Sequence, residues 1–136
     1  MLQAYSTNID FNANSAIPLN NLVIDKGCAE KLAAPATIEL NQRGVYFIEV
    51  DGFGTGAAAG DAQIQLYRNG VALPQAQSQF TVAQGDVSNF AFKTLIQVSQ
   101  NNCNCNCASN PVTLQVYCGN EVLTEANLNV VVTKLC

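Results

Sequence analysis

Apolar residues in this chain recur at every second position, and the alternation is broken about every 8 to 12 residues by Gly, Asn, Asp or Pro, the mark of an all-β chain. Helical periodicity is hard to find. Tyr5 to Phe11 and Ile17 to Ile24 scatter apolar residues among Asn, and Pro18 predicts an edge or irregular strand. Lys26 to Ala34 holds Gly27, Cys28 and several residues that tolerate helix, is closed by Pro35, and reads as a loop. From Ala36 the pattern sharpens. Ile38 and Leu40 alternate with Thr37 and Glu39, Asn41-Gln42-Arg43-Gly44 turns the chain, and Val45 to Phe53 returns as a long strand. Glycines 52, 54, 56 and 60 bracket an Ala-rich loop, after which Ala62 to Arg68 points Ile64 and Leu66 inward. Asn69-Gly70 is the strongest short hairpin signal in the chain. Val71 to Val82, interrupted by Pro74, reads as a kinked edge strand before the turn at Gln84-Gly85-Asp86. Asn89 to Ser99 places Phe90, Phe92, Ile96 and Val98 on one face, with Lys93 and Gln97 on the other. Val112, Leu114, Val116 and Cys118 share the inner face of a further strand. The last strand, Asn127 to Leu135, contains Val130-Val131-Val132, apolar on both faces and therefore in need of cover on both.

The length of 136 residues predicts one domain over 1–136, with an N-terminal strand or arm at 1–16 and a core at 17–135. There is no repeat of 20 to 50 residues, no collagen-like Gly triplet and no heptad. Charged residues make up 12%, about half of the roughly 25% usual in globular proteins, and 16 Asn and 11 Gln supply the missing polarity. Ten acids against six bases give a net charge of −4 with no Lys/Arg cluster, which excludes nucleic acid and anionic membrane as partners. His and Trp are absent, which removes the commonest general base, the commonest zinc nitrogen ligand and every Ser/His/Asp or Cys/His arrangement, so no enzyme is expected. No apolar run approaches 18 residues, and Met1 to Tyr5 lacks the basic and apolar regions of a signal peptide.

The segment Ile38-Glu39-Leu40-Asn41-Gln42-Arg43-Gly44-Val45-Tyr46-Phe47-Ile48-Glu49-Val50 resembles the strand-turn-strand core of the complement globular-head and tumour necrosis factor jelly-roll superfamily. Ile64 to Gly70 resembles that family's next strand, ending in Asn-Gly, and the three closing strands follow at the family's spacing. The Ala/Asn/Gln-rich, His-poor texture is similar to that of the carboxy-terminal domains of collagen-like exosporium glycoproteins and of phage surface proteins. The resemblance covers residues 17 to 135 and implies a ten-strand, two-sheet jelly roll assembled as a homotrimer, used for display or recognition. It departs from the family in lacking a collagen-like stalk and in carrying a Cys-rich segment. A trimer would cover the outer face of the last strand, with Tyr46, Phe53, Phe92 and Val131 as candidates near the axis.

Cys103, Cys105 and Cys107 form the sharpest chemical feature. Thiolates at Cys-x-Cys spacing suit a soft metal such as zinc or copper(I), with Cys136 as a fourth ligand, while six cysteines fit three disulfides equally well and free thiols remain a third reading. If the strands alternate up and down from residue 36, Cys28 and Cys118 lie at one end of the barrel, and the 103–107 segment and Cys136 at the other. That predicts one bridge between Cys28 and Cys118 and another from Cys136 to a loop cysteine, with Cys118 as a plain core residue the alternative. Asp51 and Asp61 are candidates for calcium, a metal that some members of the resembling family hold, or for turn caps. Glu39 and Glu49 have the form of a carboxylate pair but are expected to face outward as ordinary strand residues. Tyr5, Tyr67 and Tyr117, among many Asn and Gln, suit a glycan or any polar interface.

These features favour a non-enzymatic trimeric display protein without a resident cofactor, on a virion as a phage head decoration or fibre component. The alternatives are a module that recognises a host glycan or protein at a bacterial, spore or phage surface, and a metal-binding or redox protein built on the Cys loop. Disulfides imply an oxidising exterior, which a protein made in cytosol and released by lysis reaches without an export signal.

Overall fold

A computed structural model describes residues 1–99 and 111–136. Its described residues contain eleven strands and no helix: β1 (Leu2–Phe11), β2 (Ser15–Ala16), β3 (Asn21–Asp25), β4 (Glu30–Ala34), β5 (Thr37–Leu40), β6 (Gly44–Gly56), β7 (Gly60–Arg68), β8 (Val71–Val82), β9 (Val87–Val98), β10 (Val112–Cys118) and β11 (Leu123–Lys134). Every pairing is antiparallel. One sheet runs β3-β1-β11-β6-β9 and the other β4-β5-β10-β7-β8, with β2 attached to β10. The second of these is called the β10 sheet below and the first the β11 sheet.

Alternation explains the two-layer packing. Ile38, Leu40, Ile64, Leu66, Val112, Leu114, Val116 and Cys118 point from the β10 sheet onto Tyr46, Ile48, Val50, Phe90, Ile96, Leu128, Val130 and Val132 of the β11 sheet. Tyr46 is fully buried, so its hydroxyl needs a partner, and it donates to the Gln42 carbonyl at 2.7 Å. At the Asn69-Gly70 turn both residues have positive φ, 51° and 81°, as a two-residue hairpin turn requires. The Asn69 side chain also accepts from the Thr113 backbone N–H at 2.8 Å, which ties the hairpin to β10.

Of the two readings of residues 1–16, strand and arm, the strand holds: β1 lies between β3 and β11, and Leu2, Ala4 and Phe11 belong to the core, which therefore begins before residue 17. One expectation changes. The segment read as a loop at Lys26 to Ala34 contains β4, whose residues Glu30 to Ala34 pair with β5. Its only aliphatic anchor beyond alanine is Leu32, so periodicity alone gives no strand signal there. The ten strands expected are the five of each sheet, to which the two-residue β2 is an addition.

Glu30 is buried at the start of β4, where its carboxylate pairs with the Met1 ammonium group and its Oε2 has no hydrogen-bond partner among the described residues.

Candidate functional site

The outer faces of the two sheets differ: that of the β10 sheet is mostly amide, hydroxyl and phenol, whereas that of the β11 sheet mixes exposed apolar side chains with Glu49, Asp51 and Lys93. On the β10 sheet, Gln63, Gln65 and Tyr67 of β7 lie beside Gln77 and Gln79 of β8 on one flank and Gln115 and Tyr117 of β10 on the other. Tyr67 faces Gln115, and Tyr117 faces Gln65, so the two tyrosines are diagonal cross-strand neighbours. Sheet twist brings diagonal pairs within reach of large rings. Their rings stack with centroids 4.1 Å apart and an interplanar angle of 27°.

The amides around the pair are fixed by one another. Gln63 Nε2 donates to Gln65 Oε1 at 3.3 Å and to Gln77 Oε1, Gln65 Nε2 to the Leu73 carbonyl at 3.0 Å, and Gln115 Nε2 to Thr37 Oγ1 at 3.1 Å. Beside the stack lies a pocket of about 160 Å³ lined by Asn14, Gln63, Gln65, Tyr67, Tyr117, Cys118, Gly119 and Asn120. Asn14 takes a left-handed backbone conformation, φ 52°, and its N–H donates to the Gly119 carbonyl at 2.9 Å. Gly119 N–H in turn donates to the Gln63 carbonyl at 2.8 Å, which ties the rim to β7.

The β11 sheet exposes apolar side chains on its outer face. Of the eight large hydrophobics exposed among the described residues, Leu22, Val23, Phe53, Val87 and Leu95 sit on strands of this sheet and only Val71 on the other. Leu95 is 59% exposed and lies directly opposite half-buried Phe47, while Val131 is half-buried beside Glu49.

These positions sort the residues singled out from sequence. Phe53 and Val131 are on the outer face of the β11 sheet. Tyr46 is not available to any interface, because it faces inward and is fully buried. Phe92 lies opposite Val50 and packs against the core, so it too faces inward. Leu95, Phe47 and Val23 were not singled out, although Leu95 shares parity with Lys93 on the predicted outer face of β9.

Cys118 and Cys136 are both free thiols, so neither expected bridge forms. Cys118 is buried among inward-facing residues of β10, where its Sγ lies 3.2 Å from the Glu121 carbonyl, and burial pushes its thiol up to about 11. Cys118 and Cys136 lie at opposite ends as expected, but Cys28 does not lie with Cys118: β4 carries the chain along the sheet, so Cys28 lies near Gln42, whose Nε2 is 3.6 Å from its Sγ. That is the barrel end at which Val98 pairs with Gly44 and Val112 with Leu40. Cys103, Cys105 and Cys107 lie outside the described residues. Among the described residues, no three His, Cys, Asp or Glu side chains gather as metal ligands. Asp51 accepts from Asn129 Nδ2 at 3.1 Å on the β11 sheet and Asp61 from Thr81 Oγ1 at 3.2 Å on the other, so the two do not share a site. Glu39 and Glu49 likewise belong to different sheets. Tyr5 is on the β11 sheet, apart from the tyrosine stack, whereas Tyr67 and Tyr117 meet. The amides beside them, Gln63, Gln65 and Asn14, went unnoticed, and their signal was parity: Gln63, Gln65 and Tyr67 alternate with Ile64 and Leu66.

No family model and no curated protein matches this sequence. Solved structures do match. The globular domain of zebrafish complement 1qA protein superposes at a TM-score of 0.65 and 7% identity, covering 96% of this chain and 94% of its own. The PRD1 vertex protein P5 gives 0.60 at 13% identity, covering 99% and 96%, and Eiger TNF from S. frugiperda gives 0.61 at 10% identity, covering 99% and 92%. Agreement over nearly whole chains at such identities is agreement of fold, and it matches the two five-membered strand orders described above. The chain is a tumour necrosis factor-like jelly roll.

Proposed function

We propose that this chain is a non-enzymatic display protein that assembles as a homotrimer on the exterior of a virion. The observation that carries this reading is the segregation of exposed apolar side chains to the β11 sheet, with Leu95, Phe53 and Val131 on a face that a second and third copy would cover. The likeness to a vertex protein supports the virion setting. The absence of His removes the commonest general base, which agrees with a non-enzymatic role. Light scattering over a dilution series, with and without reductant, tests the assembly. A mass of three chains that withstands both is the expected result, and a clean monomer overturns it.

An oxidising exterior belongs to the same reading. Cys28 is disulfide-bonded, and it sits at the barrel end where β9 finishes and β10 begins. A disulfide from Cys28 to Cys103, Cys105 or Cys107 follows, in place of the pairing with Cys118. Peptide mass mapping of the unreduced protein should recover a Cys28-linked peptide. Stoichiometric zinc or copper bound through Cys103, Cys105 and Cys107 would favour the metal reading of that segment.

A further inference from the structure

We propose that the pocket beside the Tyr67–Tyr117 stack binds a neutral pyranose sugar. The stacked pair places ring surface at the edge of a mostly polar pocket, a place for the C–H groups of a sugar ring to rest. Both tyrosines are half-buried and held by each other, so little freedom is lost when a ligand settles on them. The polar lining consists of the amides of Asn14, Gln63, Gln65 and Asn120. The side chains of Asn14 and Asn120 each offer a donor and an acceptor, and Gln63 offers its oxygen, which matches sugar hydroxyls that both donate and accept.

No charged side chain lines the pocket, which speaks against phosphate, carboxylate or ammonium ligands and for a neutral one. The site is also built before any ligand arrives. Gln65 Nε2 is committed to the Leu73 carbonyl and Gln63 Nε2 to its neighbours, which leaves Gln63 Oε1, beside Gly119 at the pocket wall, as an acceptor. The left-handed Asn14 holds the rim through its bond to Gly119. The inference does not rest on the trimer, because the pocket lies on the sheet opposite the exposed apolar face.

The chain has four Tyr and no Trp, so tyrosine emission is not masked, and the part of a ligand-induced change that Tyr117→Ala removes reports on the stack. The full chain is titrated with glucose, galactose, mannose and N-acetylglucosamine and with their β-linked disaccharides, alongside sialic acid as an anionic control. The expected result is a saturable change with at least one neutral sugar, weakened tenfold or more in both Tyr117→Ala and Gln63→Leu. Gln63→Leu removes the free acceptor while keeping the tyrosine stack and nearly the same volume, so a folded Gln63→Leu protein guards against loss of binding through unfolding. The proposal is overturned if no neutral sugar gives a saturable signal, if only sialic acid binds, or if binding persists in both variants.

Discussion

Tyr46 and Cys118 set an alkaline limit on the fold. Burial pushes the Tyr46 phenol up to about 12, with the nearby Glu30 charge adding to the shift, and pushes the Cys118 thiol up to about 11. The unfolded chain releases these protons near 10 and 9, before the folded one does. In that window the folded state therefore binds more protons, and stability falls as pH rises. Denaturant unfolding should show these contributions intact below pH 9, one decline between about 9 and 11 that Cys118→Ala removes, and a second between about 10 and 12 that Tyr46→Phe removes. Each decline is on the order of 3 kcal/mol, for two pKa units at about 1.4 kcal/mol each. An unchanged profile in the double variant would assign the alkaline loss to other groups. Ser6 makes a simpler case. Its buried hydroxyl donates to the Pro18 carbonyl at 2.6 Å and accepts from the Asn20 N–H at 2.8 Å, joining β1 to the segment before β3. Ser6→Ala should cost about 1 to 2 kcal/mol in urea unfolding, because both groups lose their partner.

Gly52 shows how one strand constrains another. In β11 an extra residue lies between Thr124 and Asn127, where Glu125 takes a φ of 48°, and this bulge presses the Asn127 carbonyl onto β6. A Cβ on Gly52 would lie 2.0 Å from that oxygen and 2.8 Å from Phe90 Cζ. Gly52→Ala should therefore destabilise the protein by about 2 to 3 kcal/mol, measured as a lower urea midpoint. From sequence this glycine reads only as part of a Gly-rich loop, because a bulge on a partner strand 75 residues away leaves no local mark. Elements with a clean two-residue period, such as β5, β7 and β10, were legible because one face is core and the other solvent. β4 was not, because its burial pattern places only Glu30 and, partly, Leu32 inward, and its strand state comes from pairing with β5. The site was half legible for the same reason. Tyr67 and Tyr117 stand out by residue type, but their contact depends on the register of β7 with β10, and Asn14 joins them only through the β2–β10 pairing.

The division of labour between the two sheets makes the strongest claim about the molecule. Phe53, Val87 and Leu95 are exposed on the outer face of the β11 sheet, whereas the other sheet shows mainly glutamine, threonine and tyrosine. If the apolar face is covered by further copies, a charge placed there should break the assembly and leave the fold intact, since an exposed side chain contributes little to the stability of its own chain. Leu95→Glu should take the solution mass from three chains to one without changing the circular dichroism. Val71→Glu is the matched control, because Val71 is 67% exposed but lies on β8 of the opposite sheet, and it should leave the mass at three. Equal behaviour of the two variants would mean that general surface hydrophobicity, and not one specific face, governs association. Sugar binding should separate along the same line: Tyr117→Ala should lose it as a trimer, and Leu95→Glu should keep it at single-site affinity while losing the avidity that three linked sites confer.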